Sequence, residues 1–197
     1  FEELKWLQPG ISWSPDNSSV VFAAKAGKGD VLHIIDVNTK KSETMEINTL
    51  DGVFSAAWSP LGNEIAFIGN KGSSSDIYIY NLDKNNFYQL TDDVFSDSYP
   101  SWSPYGEEIV FVSDRGENIN GSLNGKMEDH NYSQSDLYVI NTRSKIISRI
   151  TETEYNESHP VWMNTDNSII YTADYNGVWN LFKKSLNDDL IDRTKGL

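Results

Sequence analysis

A tryptophan followed nine residues later by phenylalanine or tyrosine occurs four times in this chain. A recurrence of this kind constrains the fold more than any other feature, because a fixed period means a repeat architecture. The segments Trp13 to Phe22, Trp58 to Phe67, Trp102 to Phe111 and Trp162 to Tyr171 align without a gap. Successive tryptophans stand 45, 44 and 60 residues apart, the last interval being enlarged by an insertion.

Each unit reads as four short strands. The first ends at the tryptophan. Pro15, Pro60 and Pro104 then preset φ for a tight turn, and Asn17, Gly62 and Gly106 supply the position that tolerates positive φ. The return strands (Ser19 to Phe22, Glu64 to Ile68, Glu108 to Val112, Ser168 to Thr172) are rich in β-branched and aromatic residues, as strands prefer. Third strands follow at Leu32 to Asp36, Ile77 to Asn81, Leu137 to Asn141 and Leu181 to Ser185, where His33, Tyr78, Tyr138 and Phe182 share one position. Fourth strands are expected at Glu43 to Ile47, Phe87 to Thr91, Ile146 to Thr151 and Leu190 to Thr194.

Four antiparallel strands in about 44 residues is the arithmetic of a propeller blade. The fold class is therefore all-β: a β-propeller region over residues 1–197, with four four-stranded antiparallel blades at about 10–47, 55–91, 99–151 and 159–194 and an insertion at 116–134. Blades that stack radially bury aromatics between neighbouring sheets. Trp13, Trp58, Trp102 and Trp162, with Phe22, Phe67, Phe111 and Tyr171, are assigned to this core, and the tryptophans are expected largely buried on or at the end of each innermost strand.

The pattern Trp-Ser-Pro-x-Gly-x-x-Ile-x-Phe, followed by Ser113-Asp114-Arg115-Gly116, Asp136-Leu137-Tyr138-Val139 and Ile150-Thr151, resembles the repeat of the TolB-type propeller family. Blades two and three match best; blade one ends in Glu46-Ile47, and blade four has Met163-Asn164 in place of Ser-Pro. The resemblance implies a non-enzymatic platform for binding another protein, in the periplasm or cell envelope of a bacterium. It also implies six to eight blades in a complete ring, so the chain reads as an excerpt of a larger propeller. Blades of a prolyl oligopeptidase-type serine peptidase, which gate substrate, are similar and remain the alternative.

Composition narrows the partners. Sixteen basic and 29 acidic side chains give a net charge of −13, a field that repels a phosphate backbone, so nucleic acid is not expected. The apolar runs are a few residues long, far short of the roughly 20 needed to cross a bilayer as a helix. The start, Phe1-Glu2-Glu3-Leu4-Lys5, shows no signal peptide, and a processed chain would have lost one. With no cysteine, disulfides and thiolate chemistry are excluded.

No catalytic set is legible. His33 stands in a strand at the Tyr78 position, and His130 lies beside Glu128 and Asp129 in the insertion, where adjacent side chains make a poor metal site. No Gly-x-Ser-x-Gly elbow accompanies His159. Asp92-Asp93, Asp97, Asp114 and Asp188-Asp189 lack the spacing of a calcium loop and read as solvated turns. No cofactor or metal is expected. Recognition is instead assigned to the face bearing the insertion and the connections between blades. The candidates are Asp97, Tyr99, Arg115, Tyr132, Glu157 and His159, with Ile119, Leu123 and Met127 as further anchors.

Overall fold

The computed structural model describes residues 10–26 and 29–186. The chain divides into two compact units, Phe1–Pro100 and Ser101–Leu197. Its strands follow one another in four sheets, each strand bonded to its neighbour in sequence. The first sheet holds β1 (Ile11–Trp13), β2 (Ser19–Ala26), β3 (Gly29–Asp36) and β4 (Ser42–Glu46). The second holds β5 (Gly52–Trp58), β6 (Glu64–Lys71), β7 (Ser74–Asn81) and β8 (Asn86–Gln89). The third holds β9 (Asp97–Trp102), β10 (Glu108–Ser113), β11 (Asp136–Asn141) and β12 (Ile147–Arg149). The fourth holds β13 (Glu157–Trp162), β14 (Ser168–Tyr175) and β15 (Val178–Ser185). The strand expected at Leu190 to Thr194 lies outside the described residues.

The first turn of each sheet shows why these sequences reverse direction. Asn17, Gly62 and Gly106 adopt φ of 58°, 87° and 70°, and each donates its N–H to the carbonyl of Ser14, Ser59 or Ser103. In blade four, where Ser-Pro is missing, the left-handed residue is Asn167, at φ 48°. The tryptophans help to close these turns: Trp58 Nε1 donates to the Gly62 carbonyl at 3.0 Å and Trp162 Nε1 to Asn167 Oδ1 at 3.1 Å. An indole N–H at the edge of a core is thereby satisfied.

Registry places the repeated aromatics opposite one another on neighbouring strands. Phe22 pairs with His33, Phe67 with Tyr78, Phe111 with Tyr138 and Tyr171 with Phe182 as direct cross-strand partners, with ring centroids 5.3 to 5.8 Å apart. Pairs at this separation stabilise a sheet by roughly 0.5 to 1 kcal/mol beyond burial alone. The sequence position shared by His33, Tyr78, Tyr138 and Phe182 is thus the third-strand half of a ring pair.

Sheets stack within each unit. Val21, Leu32 and Met45 of the first sheet form one core with Val53, Ala56, Ile65, Phe67 and Tyr78 of the second. β13 likewise packs on β10 and β11. Burial of the tryptophans departs from uniformity. Trp102 and Trp162 are 7% and 6% exposed, but Trp58 is half-buried and Trp13 is 54% exposed. The reason is positional: Trp162 and Trp58 stand on inner strands laid against a preceding sheet of their own unit, whereas β1 has no such sheet before it among the described residues.

Candidate functional site

Three residues ahead of the tryptophan, each inner strand after the first carries a residue in the left-handed region: Ser55, Tyr99 and His159, at φ of 50°, 52° and 51°. At Ser55 and His159 the register with the next strand slips, between Phe54 and Ala57 and between Ser158 and Val161. These are β-bulges, which re-aim a side chain and interrupt pairing. A left-handed conformation costs a non-glycine residue on the order of 1 kcal/mol, and its recurrence at one position in three blades marks a built feature. Tyr99 is half-buried and His159 exposed. His159 Nδ1 lies 2.8 Å from Ser158 Oγ, and partial desolvation lowers the pKa of its imidazole.

The insertion between β10 and β11 folds on its own hydrogen bonds. Asn118 Nδ2 donates to the Arg115 carbonyl at 2.7 Å, and Asn118 Oδ1 receives the Asn124 N–H at 2.8 Å. A single 3-10 turn, Met127–Asp129, leads to Tyr132, whose hydroxyl donates to the Met127 carbonyl at 3.2 Å and whose ring meets His130 edge-on at 4.6 Å. Met127 and Tyr132 are 47% and 51% exposed. Ile119 is exposed and Leu123 half-buried. A cavity of about 240 Å³ is lined by residues of the insertion and its ends that include Asp114, Asn118, Asp129, Gln134, Asp136 and Arg149.

Arg115 departs from the expectation of an exposed recognition residue. It is fully buried, with its guanidinium carbon 5.2 Å from the Phe111 ring centroid and 5.6 Å from that of Tyr138, and with Nε donating to Ser113 Oγ at 3.0 Å. The cation is held against ring faces, where it stabilises the foot of the insertion. The Tyr138 hydroxyl donates to the Gly116 carbonyl at 2.7 Å and fixes the same point.

Asp97 and Glu157 are also buried, each 1% exposed, and so cannot touch a partner directly in this conformation. Both begin inner strands, and both face a buried aspartate that begins or lies near the start of a third strand. Asp76, 2% exposed, is raised to about 7 by burial first and then by the charge of Asp97. Glu157 is raised to about 7 by burial, against which Thr153 and Thr151 act, and further by Asp136. Thr151 Oγ1 accepts the Leu137 N–H at 2.8 Å and donates to Glu157 Oε2 at 2.9 Å, while Thr153 Oγ1 donates to Oε1 at 2.7 Å. Thr91 Oγ1 accepts the Ile77 N–H at the same distance of 2.8 Å. The closing threonine of the repeat is therefore a bridge between third strand and outgoing chain.

Of the six candidates, then, Tyr99, Tyr132 and His159 retain surface, while Asp97, Arg115 and Glu157 support from within. Sequence reasoning missed the bulge and the paired acids. The signal for the acids was present in the recurring Asp at the start of the Asp-[Ile/Leu]-Tyr strand, Asp76 and Asp136. Among the described residues no group of three or more His, Cys, Asp or Glu is disposed to hold a metal ion, and no helix is long and apolar enough to cross a membrane.

Comparison with known proteins gives a consistent picture of the fold. The family model described as the TolB beta propeller domain matches residues 6–120. TolB from Acinetobacter baumannii superposes with a TM-score of 0.71 at 17% identity, over 90% of this chain and 41% of that protein. A putative TolB from Agrobacterium tumefaciens gives 0.71 at 16% identity, over 91% of this chain and 58% of that one. A structure from a study of two prolyl endopeptidases gives 0.57 at 15% identity, over 90% of this chain and 26% of that protein. The chain thus spans less than two thirds of these proteins. No curated protein sequence matches it.

Proposed function

The chain belongs to the TolB β-propeller domain family, and on that basis we propose that it is a non-catalytic scaffold that binds another protein in a bacterial cell-envelope assembly, or as the sensor or docking domain of a larger polypeptide. Recognition falls to the insertion and to the left-handed inner-strand residues Tyr99 and His159. The observation that carries this reading is the insertion itself. A loop that serves only as a connection has no need to order Met127 and Tyr132 against each other while leaving about half of each exposed. Aromatic and flexible apolar side chains of this kind are favoured at protein interfaces. The acidity of the chain, −13 overall, suits a partner with a basic face and argues against nucleic acid.

The test is capture of partners from a bacterial envelope extract by wild-type protein and by a variant in which residues 117–133 are replaced with a short turn. Loss of a specific partner with little change in melting temperature supports the assignment. Equal capture by both proteins, or a complex in which the insertion touches nothing, refutes it.

A second reading, the substrate-gating propeller of a prolyl oligopeptidase-type peptidase, is favoured by the likeness to the prolyl endopeptidase structure. It requires a full-length gene that continues into an α/β-hydrolase domain with Ser, His and Asp in their roles. Reading the flanking gene sequence separates the two.

A further inference from the structure

The joint between blades three and four contains more than packing. Where the insertion ends, it is tied to the connection that enters β13. Gln134 Nε2 donates to the Tyr155 carbonyl at 2.7 Å, the Ser135 N–H to Asn156 Oδ1 at 2.9 Å, Ser135 Oγ to the Glu157 carbonyl at 3.3 Å, and the Glu157 N–H to the Ser135 carbonyl at 3.0 Å. At the centre of this tie the side chains of Asp136 and Glu157 are buried side by side, 0% and 1% exposed and within hydrogen-bonding reach of each other. Arg149 Nη2 donates to Asp136 Oδ2 at 2.7 Å, while Asp136 Oδ1 has no hydrogen-bond partner. Two neighbouring buried carboxyl groups, only one of them paired with a cation, cannot both ionise without cost, and an acceptor such as Oδ1 needs a donor.

We propose that this joint is a proton latch: one proton on Glu157, donated to Asp136 Oδ1, closes the outgoing connection onto the third strand of blade three, and its loss loosens the end of the insertion. No other atom moves between groups; the proton passes from Glu157 to solvent when the latch opens. Thr151 and Thr153 already give their protons to Glu157, Arg149 Nη2 is engaged with Asp136 and Nη1 lies 3.7 Å from Glu152 while its Nε has no hydrogen-bond partner, and the charges of Glu157 and Asp136 are felt by the phenols of Tyr171 and Tyr138, with Arg115 beyond Tyr138. The arrangement is also repeated. In the other unit Asp76 faces Asp97, with Asp92 and Asp93 near, and Tyr78 above. Gln89 Nε2 donates to Asp76 Oδ2 at 3.1 Å in the place of Arg149, Asp76 Oδ1 has no hydrogen-bond partner, and Ser75 Oγ donates to the Asp97 carbonyl at 3.0 Å in the place of Ser135. Two copies at equivalent positions make the pairing a property of the blade joint.

The sign of the effect follows from linkage. Glu157 gains its proton affinity in the closed state, so the latch is fully set below the ordinary glutamate value of 4.5 and weakens as pH rises toward about 7, above which it stays loose. The coupling to recognition rests on the binding role proposed above, but the latch does not. Hydrogen exchange at the Ser135 and Glu157 amides, corrected for intrinsic rates, reads it directly on the full chain. Protection is expected to fall by up to about tenfold per pH unit between about pH 5 and 7 and to level off above. Glu157→Gln, whose amide donates permanently to Asp136 Oδ1, should hold protection constant over that range. Protection in wild type that does not change with pH, or an unchanged pH dependence in Glu157→Gln, overturns the latch. If that variant fails to fold, the carboxyl carbon-13 shift of Glu157 in wild type decides: a midpoint near 7 supports the proposal and a midpoint near 4.5 ends it. A latch that titrates in a protein whose insertion binds nothing would refute only the proposed function.

Discussion

Trp58 donates its main-chain N–H to the side-chain oxygen of Ser12 across 2.9 Å, and Trp162 makes the same bond to Ser101 at 3.4 Å. In both cases the acceptor is the residue just before the tryptophan of the preceding blade. At these two joints one hydroxyl therefore sets the height at which the next inner strand docks, whereas Ala57, just before Trp58, has no hydroxyl to offer. Ser12→Ala leaves the Trp58 N–H without this acceptor, and the expected loss is about 1 kcal/mol, seen as a lower melting temperature. Ser12→Thr should recover most of it. Equal stability in wild type and Ser12→Ala would show that water replaces the bond at no cost.

The uneven burial of the repeated tryptophans makes a paired prediction. Trp102→Ala removes a side chain that is 7% exposed and should cost roughly 3 to 5 kcal/mol, whereas Trp13→Ala, at 54% exposed, should cost under about 1.5 kcal/mol. Urea denaturation of the two variants compares them. Similar losses would mean that Trp13 is covered in solution by something the described residues do not include.

The period of the tryptophans, the turn residues and the third-strand aromatic position were all legible in the sequence, because packing in a repeat imposes the same residue type at the same place. His33 and Phe182 could be aligned with Tyr78 and Tyr138 before any pairing was known, and all four prove to be cross-strand partners of the second-strand ring. What escaped reading depends on tertiary context. Ser55, Tyr99 and His159 share no chemistry, so their common left-handed backbone leaves no compositional trace. Arg115, Asp97 and Glu157 belong to types that are usually exposed, and only the ring faces of Phe111 and Tyr138 or a facing aspartate make their burial tolerable.

Arg115 should resist conservative replacement. Lysine carries the charge but not the planar group that lies against two rings, nor the Nε donor to Ser113. Arg115→Lys is expected to lower stability by about 1 to 3 kcal/mol and to raise protease sensitivity within the insertion before it affects the rest of blade three. Uniform sensitivity along the chain would argue against a local role as the foot of the loop.

Gly69 is placed where any side chain would collide. A Cβ there would press on Leu50 Cδ1 and would come within 2.7 Å of Tyr78 Cδ2 and Cε2, all of them in the packed core between the first two sheets. Because the Tyr78 ring is wedged between Phe67 and Phe87, it has little room to retreat. Gly69→Ala should therefore destabilise by roughly 1 to 3 kcal/mol despite the better strand propensity of alanine. A neutral result would show the Leu50 loop to be free to move outward.

The pair Asp76 and Asp97 supplies a prediction for stability as a whole. Burial is the main reason that the Asp76 carboxyl is raised from 3.8 to about 7, with the charge of Asp97 next, so the folded chain holds a proton that the unfolded chain releases. Stability from this group is complete below about pH 4 and declines as pH rises to about 7, by on the order of 2 kcal/mol once relaxation around the site is allowed for. Asp76→Asn keeps a donor for Asp97 and removes the ionisation. It should be more stable than wild type at pH 8 and close to it at pH 4, with a correspondingly flatter curve between. Denaturant titrations of both proteins across that range measure the difference. If the two curves run parallel, Asp76 is ionised in the folded protein and its partner lies in the solvent around the joint.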